Sequence, residues 1–179
     1  DNNTMLGASI GAGIIVKDSK FNRIGGDLGT ERNVIVNRNI GIVLNGADTN
    51  QIQQTFIGTS FDGTSVSIPN IRGGIVSRAT ASNSNKIGPY NVFGGNKVGI
   101  YLGNNSSDNK FHKNFFGSDT TLANSFSNDT AMIIIGADNN YIGGSADSAN
   151  YFFNSTGNGI ILAGNANNNK FKQNYIGVR

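Results

Sequence analysis

The 179-residue sequence contains no cysteine and no tryptophan, and it has only two prolines and one histidine. Without cysteine there are no disulfides and no thiolate ligands, and one histidine cannot build a two-histidine zinc site. The single histidine and the lack of a Gly-x-Ser-x-Gly segment disfavour a serine-hydrolase triad. We therefore expect neither a bound metal nor a cofactor.

Charged residues and long apolar runs are also scarce. Charged residues make up 14% of the chain, and 14 Lys and Arg against 11 Asp and Glu give a net charge of +3 with no basic block. Binding of nucleic acid favours clustered Lys and Arg, so no nucleic-acid partner is expected. The longest apolar run, "AMIII" at 131–135, is far shorter than the roughly 20 residues that a membrane-spanning helix needs. No membrane span is expected either.

Glycine and asparagine are abundant, with 25 and 29 copies. Both tolerate the left-handed backbone of tight turns, so the chain should turn often. One phrase occurs three times, as "NQIQQTFIG" at 50–58, "NKFHKNFFG" at 109–117 and "NKFKQNYIG" at 169–177. The copies begin 59 and 60 residues apart, which indicates an internal repeat of about sixty residues.

The segments between the turns predict short β-strands. Most have alternating apolar positions, and no apolar series has the period and length of a helix. An asparagine opens the same kind of segment at intervals of 24 to 35 residues, at Asn22, Asn50, Asn85, Asn109, Asn140 and Asn169. Strands that return to one position at this interval predict an all-β fold, a parallel β-helix or β-solenoid. We expect about six to seven coils, with two coils in each repeat.

The alternation also predicts which side chains fill the interior. The expected interior residues are Ile24, Ile35, Ile42, Leu44, Ile52, Phe56, Ile75, Ile87, Ile100, Leu102, Phe111, Phe115, Ile133, Ile142, Ile160, Leu162, Phe171 and Tyr175. A shift of the pairing by one residue would turn a strand's interior side chains outward, so the register should be strongly specified.

The six asparagines that open the coils need their own explanation. Stacked at one corner, their carboxamides can hydrogen-bond to the turn backbone and to one another, which satisfies donors that a sharp turn leaves open. We therefore predict a structural asparagine ladder. A role of these amides in binding a glycan or a metal is the alternative.

These phrases resemble a known family. The phrases N-x-(I/F)-x-x-N-x-(I/F)-G and N-G-I-x-L are similar to the right-handed parallel β-helix repeats of the pectin-lyase-like superfamily, above all to Asn/Gly-rich arrays in large secreted bacterial surface proteins. The resemblance covers the whole chain and implies one right-handed β-helix domain over 1–179, located extracellularly or at the cell surface. Because the superfamily includes lyases, hydrolases, epimerases, phage tailspikes and adhesins, the resemblance does not define an activity.

The repeats would span roughly 22–84, 85–139 and 140–179, and the last would continue in phase into 1–21. Fifteen residues lie between Gly117 and Ile133, and fifteen would also lie between Gly177 and the Ile14 of a following copy. We therefore expect an excerpt of a longer array, with further repeats of the same chain as neighbours, or a subunit that associates end to end.

One predicted strand face carries a line of polar side chains. The first outward position after each ladder asparagine holds Arg23, Gln51, Lys86, Lys110, Tyr141 or Lys170, and the row two residues later contains His112 and Lys172, with glycine in every other coil. Cations, amides and a tyrosine along one line, with no acid among them, suit an extended anionic polymer. We therefore expect this face to bind an acidic polysaccharide. The alternative is that these side chains only keep an exposed sheet soluble.

The acidic residues do not form a catalytic pair. Glycoside hydrolysis needs two carboxylates roughly 5–10 Å apart, and the aspartates lie mostly in separate turns. The leading hypothesis is therefore a non-catalytic structural or adhesive segment of a large extracellular repeat protein. One rival is a polysaccharide lyase or epimerase acting on uronic-acid glycans, with Lys110, His112, Lys113 or Lys172 as the base. A second rival is a filament subunit that self-assembles head to tail.

Overall fold

The computed structural model describes residues 11–66 and 68–177, and these residues contain 18 β-strands and two short 3₁₀ helices. The strands form three sheets of six strands, and neighbouring strands within each sheet pair in parallel. Every third strand along the chain belongs to the same sheet. The prediction of an all-β fold with parallel strands is confirmed, and the arrangement is consistent with a β-solenoid.

The first sheet contains β1 (Ala12–Lys17), β4 (Ile40–Asn45), β7 (Gly73–Ser77), β10 (Val98–Leu102), β13 (Thr130–Ile135) and β16 (Ile160–Ala163). The second sheet contains β2 (Arg23–Ile24), β5 (Gln51–Ile52), β8 (Lys86–Ile87), β11 (Lys110–Phe111), β14 (Tyr141–Gly143) and β17 (Lys170–Lys172). The third sheet contains β3 (Asn33–Ile35), β6 (Thr55–Ile57), β9 (Val92–Phe93), β12 (Phe115–Phe116), β15 (Tyr151–Phe152) and β18 (Tyr175–Ile176).

Three consecutive strands, one from each sheet, are called a layer, so β1–β3 form the first layer and β16–β18 the last. The 3₁₀ helices lie in turns between the second and third sheets, at Gly29–Glu31 and at Ala146–Ser148. Both helices therefore belong to turns beside the second sheet, where the predicted polar row lies.

One apolar interior lies between the three sheets. The first sheet contributes an in-register row of buried side chains, Ile42, Ile75, Ile100 and Met132. The second sheet contributes the equivalent row Ile24, Ile52, Ile87, Phe111 and Ile142. Because strands of neighbouring layers lie about 4.8 Å apart, each side chain of a row packs on the one before it, and the apolar area removed from water stabilises the stack.

A stack of phenylalanine rings fills the side of the interior next to the third sheet. Phe93, Phe116 and Phe152 lie in successive layers, and neighbouring ring centroids are 4.7 Å apart with ring planes inclined by 11° and 8°. This centroid distance matches the spacing of about 4.8 Å between paired strands. The strand register therefore brings the rings into face-to-face contact.

The structure differs from the predicted interior in the third sheet. Phe56 and Phe115 are buried, but they lie outside the main interior, in a second apolar cluster that Phe126 joins from the loop between β12 and β13. The main interior contains the residues that follow them, Ile57 and Phe116. Neighbouring residues of these strands, which point to opposite faces of the sheet, are both apolar, so the sequence pattern alone does not show which of the two faces inward.

Two further predicted interior residues, Ile133 and Tyr175, are corrected by the structure, and a third, Leu162, lies in its predicted row but is half exposed. Ile133 lies on the outward side of β13, between the fully buried Met132 and Ile134. Tyr175 belongs to the outward row of the third sheet and is 47% exposed. Leu162 does occupy an interior row, but it is 48% exposed because no described layer covers the last layer.

The six predicted ladder asparagines lie one per layer at the corner before the second sheet. The Nδ2 atom of each donates to the Oδ1 atom of the next, over 3.0–3.2 Å. The backbone N–H of the same residue donates to the same oxygen, over 2.8–2.9 Å. A second donation from Nδ2 reaches a turn carbonyl, for example from Asn85 to Ala47 over 2.7 Å. Each of the five carboxamides after Asn22 therefore satisfies a backbone N–H and a backbone carbonyl of the turn in the preceding layer.

The other two corners contain asparagine ladders that the sequence analysis did not identify. One ladder consists of Asn91, Asn114, Asn150 and Asn174, before strands of the third sheet. The other consists of Asn70, Asn96 and Asn128, before strands of the first sheet. The sequence does contain a signal for the ladder that includes Asn114 and Asn174, namely the second asparagine of the recurring phrase. It follows the first asparagine after a short interval in the copies at 109–117 and 169–177, whereas the copy at 50–58 has Thr55 at this position.

Candidate functional site

The outward side of the second sheet, here called the polar face, carries most of the predicted ligand-binding residues in one row. Strand pairing places these residues side by side in successive layers, in the order Arg23, Gln51, Lys86, Lys110, Tyr141 and Lys170. At about 4.8 Å per layer, Lys86 and Lys170 lie roughly 14 Å apart along the row. Lys172 is exposed and pairs with Gly143 in the second row, to which His112 also belongs.

The middle of the polar face forms an open groove of about 530 Å³. The groove is lined by Gln51, Lys86, Lys110, His112, Tyr141, Gly143, Gly144, Ser145 and Ser148, and none of these residues is acidic. A second groove of about 540 Å³ shares Lys110 and Tyr141 and extends to Lys170. Together the two grooves follow the row across successive layers.

Glycines in the neighbouring layers leave open space beside His112. Gly88 and Gly143 occupy the equivalent positions in the layers on either side. Gly143 has a φ of +92°, and a Cβ atom there would overlap the carbonyl oxygen of Lys172. Gly88 has a φ of +118°, and a Cβ atom would overlap the carbonyl oxygen of His112. The backbone therefore requires glycine at both positions, and the groove beside the imidazole follows from this requirement.

Acidic residues border the polar face, although the sequence analysis places none on it. Arg23 forms a salt bridge with Asp27, and Gln53 Nε2 donates to Asp27 Oδ1 over 2.8 Å. The hydrogen bond from Arg23 holds the pKa of Asp27 below its ordinary value. The charge of Arg23 is thus balanced by the carboxylate of Asp27. The next cation along the row is Lys86. At the other end of the row, Asp108 lines the second groove.

His112 is partly buried at the first groove and lies among cations. Burial lowers its pKa below the ordinary value, and the positive charge of Lys86 lowers it further. The side chains that line the groove with it, Lys110 and Tyr141 among them, include no carboxylate that would favour the imidazolium. The imidazole is therefore neutral at neutral pH and can accept or donate a hydrogen bond.

Because His112 is the only histidine, its titration can be followed directly by proton NMR. We expect its midpoint to lie below about 6.5, the ordinary value for histidine. Lys86→Gln should move the pKa of His112 only part of the way back to the ordinary value, because burial lowers this pKa more than the charge of Lys86 does. Since the folded state disfavours the imidazolium, the free energy of unfolding should fall as the pH drops below about 6.5. A midpoint at or above that value would contradict the placement of His112, and Lys97→Gln on another part of the surface serves as the control.

Lys113, one of the four candidate bases, lies outside the first groove. It occupies the turn after β11 with a φ of +51°, and its ammonium group lies 4.8 Å from the ring centroid of Tyr90. The hydrogen bond with Tyr90 raises the pKa of Lys113. A lysine that holds its proton more tightly is a weaker candidate for a general base.

The outward side of the first sheet carries an apolar row that the sequence analysis did not identify. Pairing aligns Ile15, Val43, Val76, Tyr101, Ile133 and Ile161. Exposure varies along the row, from 63% at Ile15 to 7% at Val43. Arg72 and Arg78 border it. Apolar residues on both sides of these strands hide the alternation that would separate inward from outward positions.

Within residues 11–66 and 68–177, no group of three or more His, Asp or Glu side chains has the arrangement of a metal site. The same part of the chain contains no helix with the length and apolar character needed to cross a membrane.

No protein-family model matches this sequence. Comparison with curated proteins and with solved structures finds no significant similarity either. The function must therefore be inferred from the polar face itself, through its strand register, its grooves and the charges that line them.

Proposed function

We propose that this chain is a non-catalytic structural segment of a large extracellular repeat protein, and that its polar face binds an acidic polysaccharide. In this proposal the layers are coils of a right-handed parallel β-helix of the pectin-lyase-like kind. The observation that supports binding is the first groove, which lysines and a tyrosine line without any acidic residue.

A linear polyanion fits the polar face because its charges would follow the row. Lys86 and Lys110 are exposed and lie in adjacent layers, and Lys170 is exposed beyond Tyr141. Ammonium groups form charge-assisted hydrogen bonds with carboxylates and sulfates. Tyr141 lies between the cations and offers a ring face against which a sugar can pack, while Gln51 adds an amide at the other end of the groove.

The electrostatic repulsion between the lysines of the row is small without a ligand, and a bound polyanion would make the electrostatic energy favourable. Two ammonium groups in neighbouring layers repel each other by about 1 kcal/mol or less in water. A bound polyanion would replace this repulsion with attraction. Because charges at the surface are screened over about 8 Å at physiological salt, the binding should weaken as salt is added.

The double variant Lys86→Gln/Lys110→Gln tests this proposal. Its affinity for heparin or polygalacturonate should be lower by about tenfold, equivalent to about 1.4 kcal/mol, because two charge-assisted contacts are lost. The affinity can be measured by isothermal titration calorimetry with the folded protein at low salt.

The matched control is Lys17→Gln/Lys97→Gln, which changes the net charge equally at exposed lysines outside the polar face. The control should bind almost as well as the unchanged protein. An equal loss in both double variants would show attraction by net charge alone, and the absence of any binding would reject the proposal.

The rival enzymatic function, a lyase or epimerase, is favoured by one observation. His112 is neutral at neutral pH and lies in a groove with Lys86 and Lys110, so a base and carboxylate-binding cations are close together. Incubation with uronic-acid polymers would then release chains with unsaturated ends or change the sugar epimer. Product formation that disappears in His112→Gln or Lys110→Gln would overturn the non-catalytic proposal.

A further inference from the structure

A separate groove lies on the outward side of the first sheet, away from the polar face. It has a volume of about 400 Å³ and lies over β7 and β10, the two middle strands of that sheet. Arg72 and Arg78, which directly precede and follow β7, both line it, so we call it the arginine groove. None of its lining residues is acidic. Its volume falls within the range of about 300–1,000 Å³ that is typical of small-molecule sites.

The floor of the arginine groove is apolar. Val76 and Tyr101 are paired in adjacent layers, and both are half-buried. Gly73 is paired with Ile40 and has no side chain, which leaves a hollow between Ile40 and the half-buried Val98. A Cβ atom at Gly73 would lie only 2.9 Å from a methyl carbon of Val76. An apolar molecule in this hollow would remove these surfaces from water, which is favourable.

Hydrogen-bond donors lie at the end of the groove that contains Arg78. The ring of Tyr101 lies over Gly103, where a Cβ atom would be 3.3 Å from the tyrosine hydroxyl oxygen. The N–H of Gly103 donates to Oγ of Ser77 over 2.7 Å, which holds this part of the chain beside the residue before Arg78. Asn104 Nδ2 donates to the carbonyl of Ser77 over 3.3 Å and has a second N–H. A guanidinium, a carboxamide and a phenol hydroxyl can therefore approach one anionic group.

The two arginines are not occupied by other groups. Both side chains are exposed, and within residues 11–66 and 68–177 neither guanidinium forms a salt bridge or a hydrogen bond. Because Arg72 and Arg78 lie at opposite ends of one strand, their charges are separated along the strand and within one layer. A polymer that runs along the stack would meet these charges in one layer only. The arrangement therefore fits a small anion better than a linear polyanion.

We propose that the arginine groove binds a small aromatic anion, an aromatic carboxylate or sulfonate. Its anionic group accepts hydrogen bonds from Arg78, Asn104 and the hydroxyl of Tyr101. Its aromatic body packs on Val76 and over the hollow at Gly73. An aromatic body is favoured over an aliphatic one because a guanidinium and a tyrosine ring both stack on aromatic planes. This site is independent of polysaccharide binding to the polar face.

Fluorescence titration of the folded 179-residue chain with anilinonaphthalene sulfonate tests the proposal. Binding should saturate at one site per chain. Arg78→Gln should raise the dissociation constant by about tenfold, because a charge-assisted hydrogen bond is lost. Arg72→Gln should raise it by about threefold or less, because this arginine attracts the anion only through solvent. Arg78→Lys keeps the charge without the planar fork and should recover only part of the affinity.

Two further ligands test the two parts of the proposed chemistry. The compound N-phenyl-naphthylamine has the same ring system without the sulfonate, and it should bind at least about tenfold more weakly. Octanesulfonate has the anionic group without a ring, and it should displace the probe only at higher concentration than naphthalene sulfonate does. Equal or tighter binding of either compound would overturn the assignment of an aromatic anion.

Lys17→Gln is the matched control for Arg78→Gln, because Lys17 is an exposed cation on a strand of the same sheet but does not line the groove. Its affinity for the probe should be unchanged. All variants replace exposed side chains, so each should keep its circular dichroism spectrum and melting temperature. An equal loss in Lys17→Gln, an unchanged affinity in Arg78→Gln, or the absence of saturable binding would each overturn the proposal. None of these results affects the test of polysaccharide binding, which uses lysines of the polar face.

Discussion

Ile134→Ala should lower the free energy of unfolding by about 2–5 kcal/mol, the range measured for deleting large aliphatic side chains from packed cores. Ile134 is 0% exposed and lies in an interior row of the first sheet with Leu102 before it and Leu162 after it. Truncation would leave a cavity between the layers, because strand pairing on both sides holds the backbone in place. The loss can be measured by urea denaturation monitored by circular dichroism.

The neighbouring residue supplies a matched control of the same type and strand. Ile133 faces the opposite side of β13 and is only partly buried, so Ile133→Ala should cost about 1 kcal/mol or less. This pair distinguishes the observed register from the register predicted by the sequence, in which Ile133 faces the interior. A larger loss for Ile133→Ala than for Ile134→Ala would contradict the observed register.

Asn109→Ala should lower the free energy of unfolding by about 2–5 kcal/mol. Asn109 is 1% exposed, and its Oδ1 accepts from both the backbone N–H and the Nδ2 of Asn85, over 2.9 and 3.0 Å. Its own Nδ2 donates to the carbonyl of Ser82 over 3.0 Å and to Asn140 over 3.1 Å. Alanine leaves the backbone N–H of Asn85 and the carbonyl of Ser82 without these partners, and each unsatisfied buried group costs about 1–3 kcal/mol. Asn140 Oδ1 keeps its bond from the backbone N–H of residue 109, and Asn85 Nδ2 keeps its bond to the carbonyl of Ala47.

Asn22→Ala is the control for this prediction, because Asn22 begins the same ladder but is exposed. No donor among the described residues reaches its Oδ1, and Asn50 keeps its bond from the backbone N–H of residue 22. We expect a change in the free energy of unfolding of about 1 kcal/mol or less. Equal losses in the two variants would mean that the ladder bonds do not contribute beyond a generic effect of the substitution.

The two effects have a common origin in the parallel stacking of similar layers. An interior row and an asparagine ladder each place the same kind of group in every layer, so each group is covered from both sides. A defect inside the stack therefore disturbs two neighbouring contacts, and a defect at an end disturbs one. Among the described residues, Leu162 and Ile176 of the last layer have a neighbouring layer on one side only, and they are half exposed.

The sequence by itself determined the parallel all-β architecture and the chemistry of the repeating positions. Short alternating segments separated by Asn and Gly indicate strands that return to one position, and the regular asparagines mark one corner. The order of residues along the polar row follows from the same periodicity, because each coil places one residue after its ladder asparagine at an outward position. Repetition supplies this information, since a signal too weak in one segment recurs in the others.

Only the tertiary structure decided which of two apolar neighbours faces the interior and which acids approach the polar face. Phe115 and Phe116 are equally apolar, and the loop that carries Phe126 makes the outward position of Phe115 a buried one. The ion pair of Arg23 with Asp27 depends likewise on the path of a turn. When both faces of a strand are apolar, the sequence pattern does not show which face points to the interior. The path of a turn depends on contacts between residues that are distant in sequence, so the sequence pattern does not define it either.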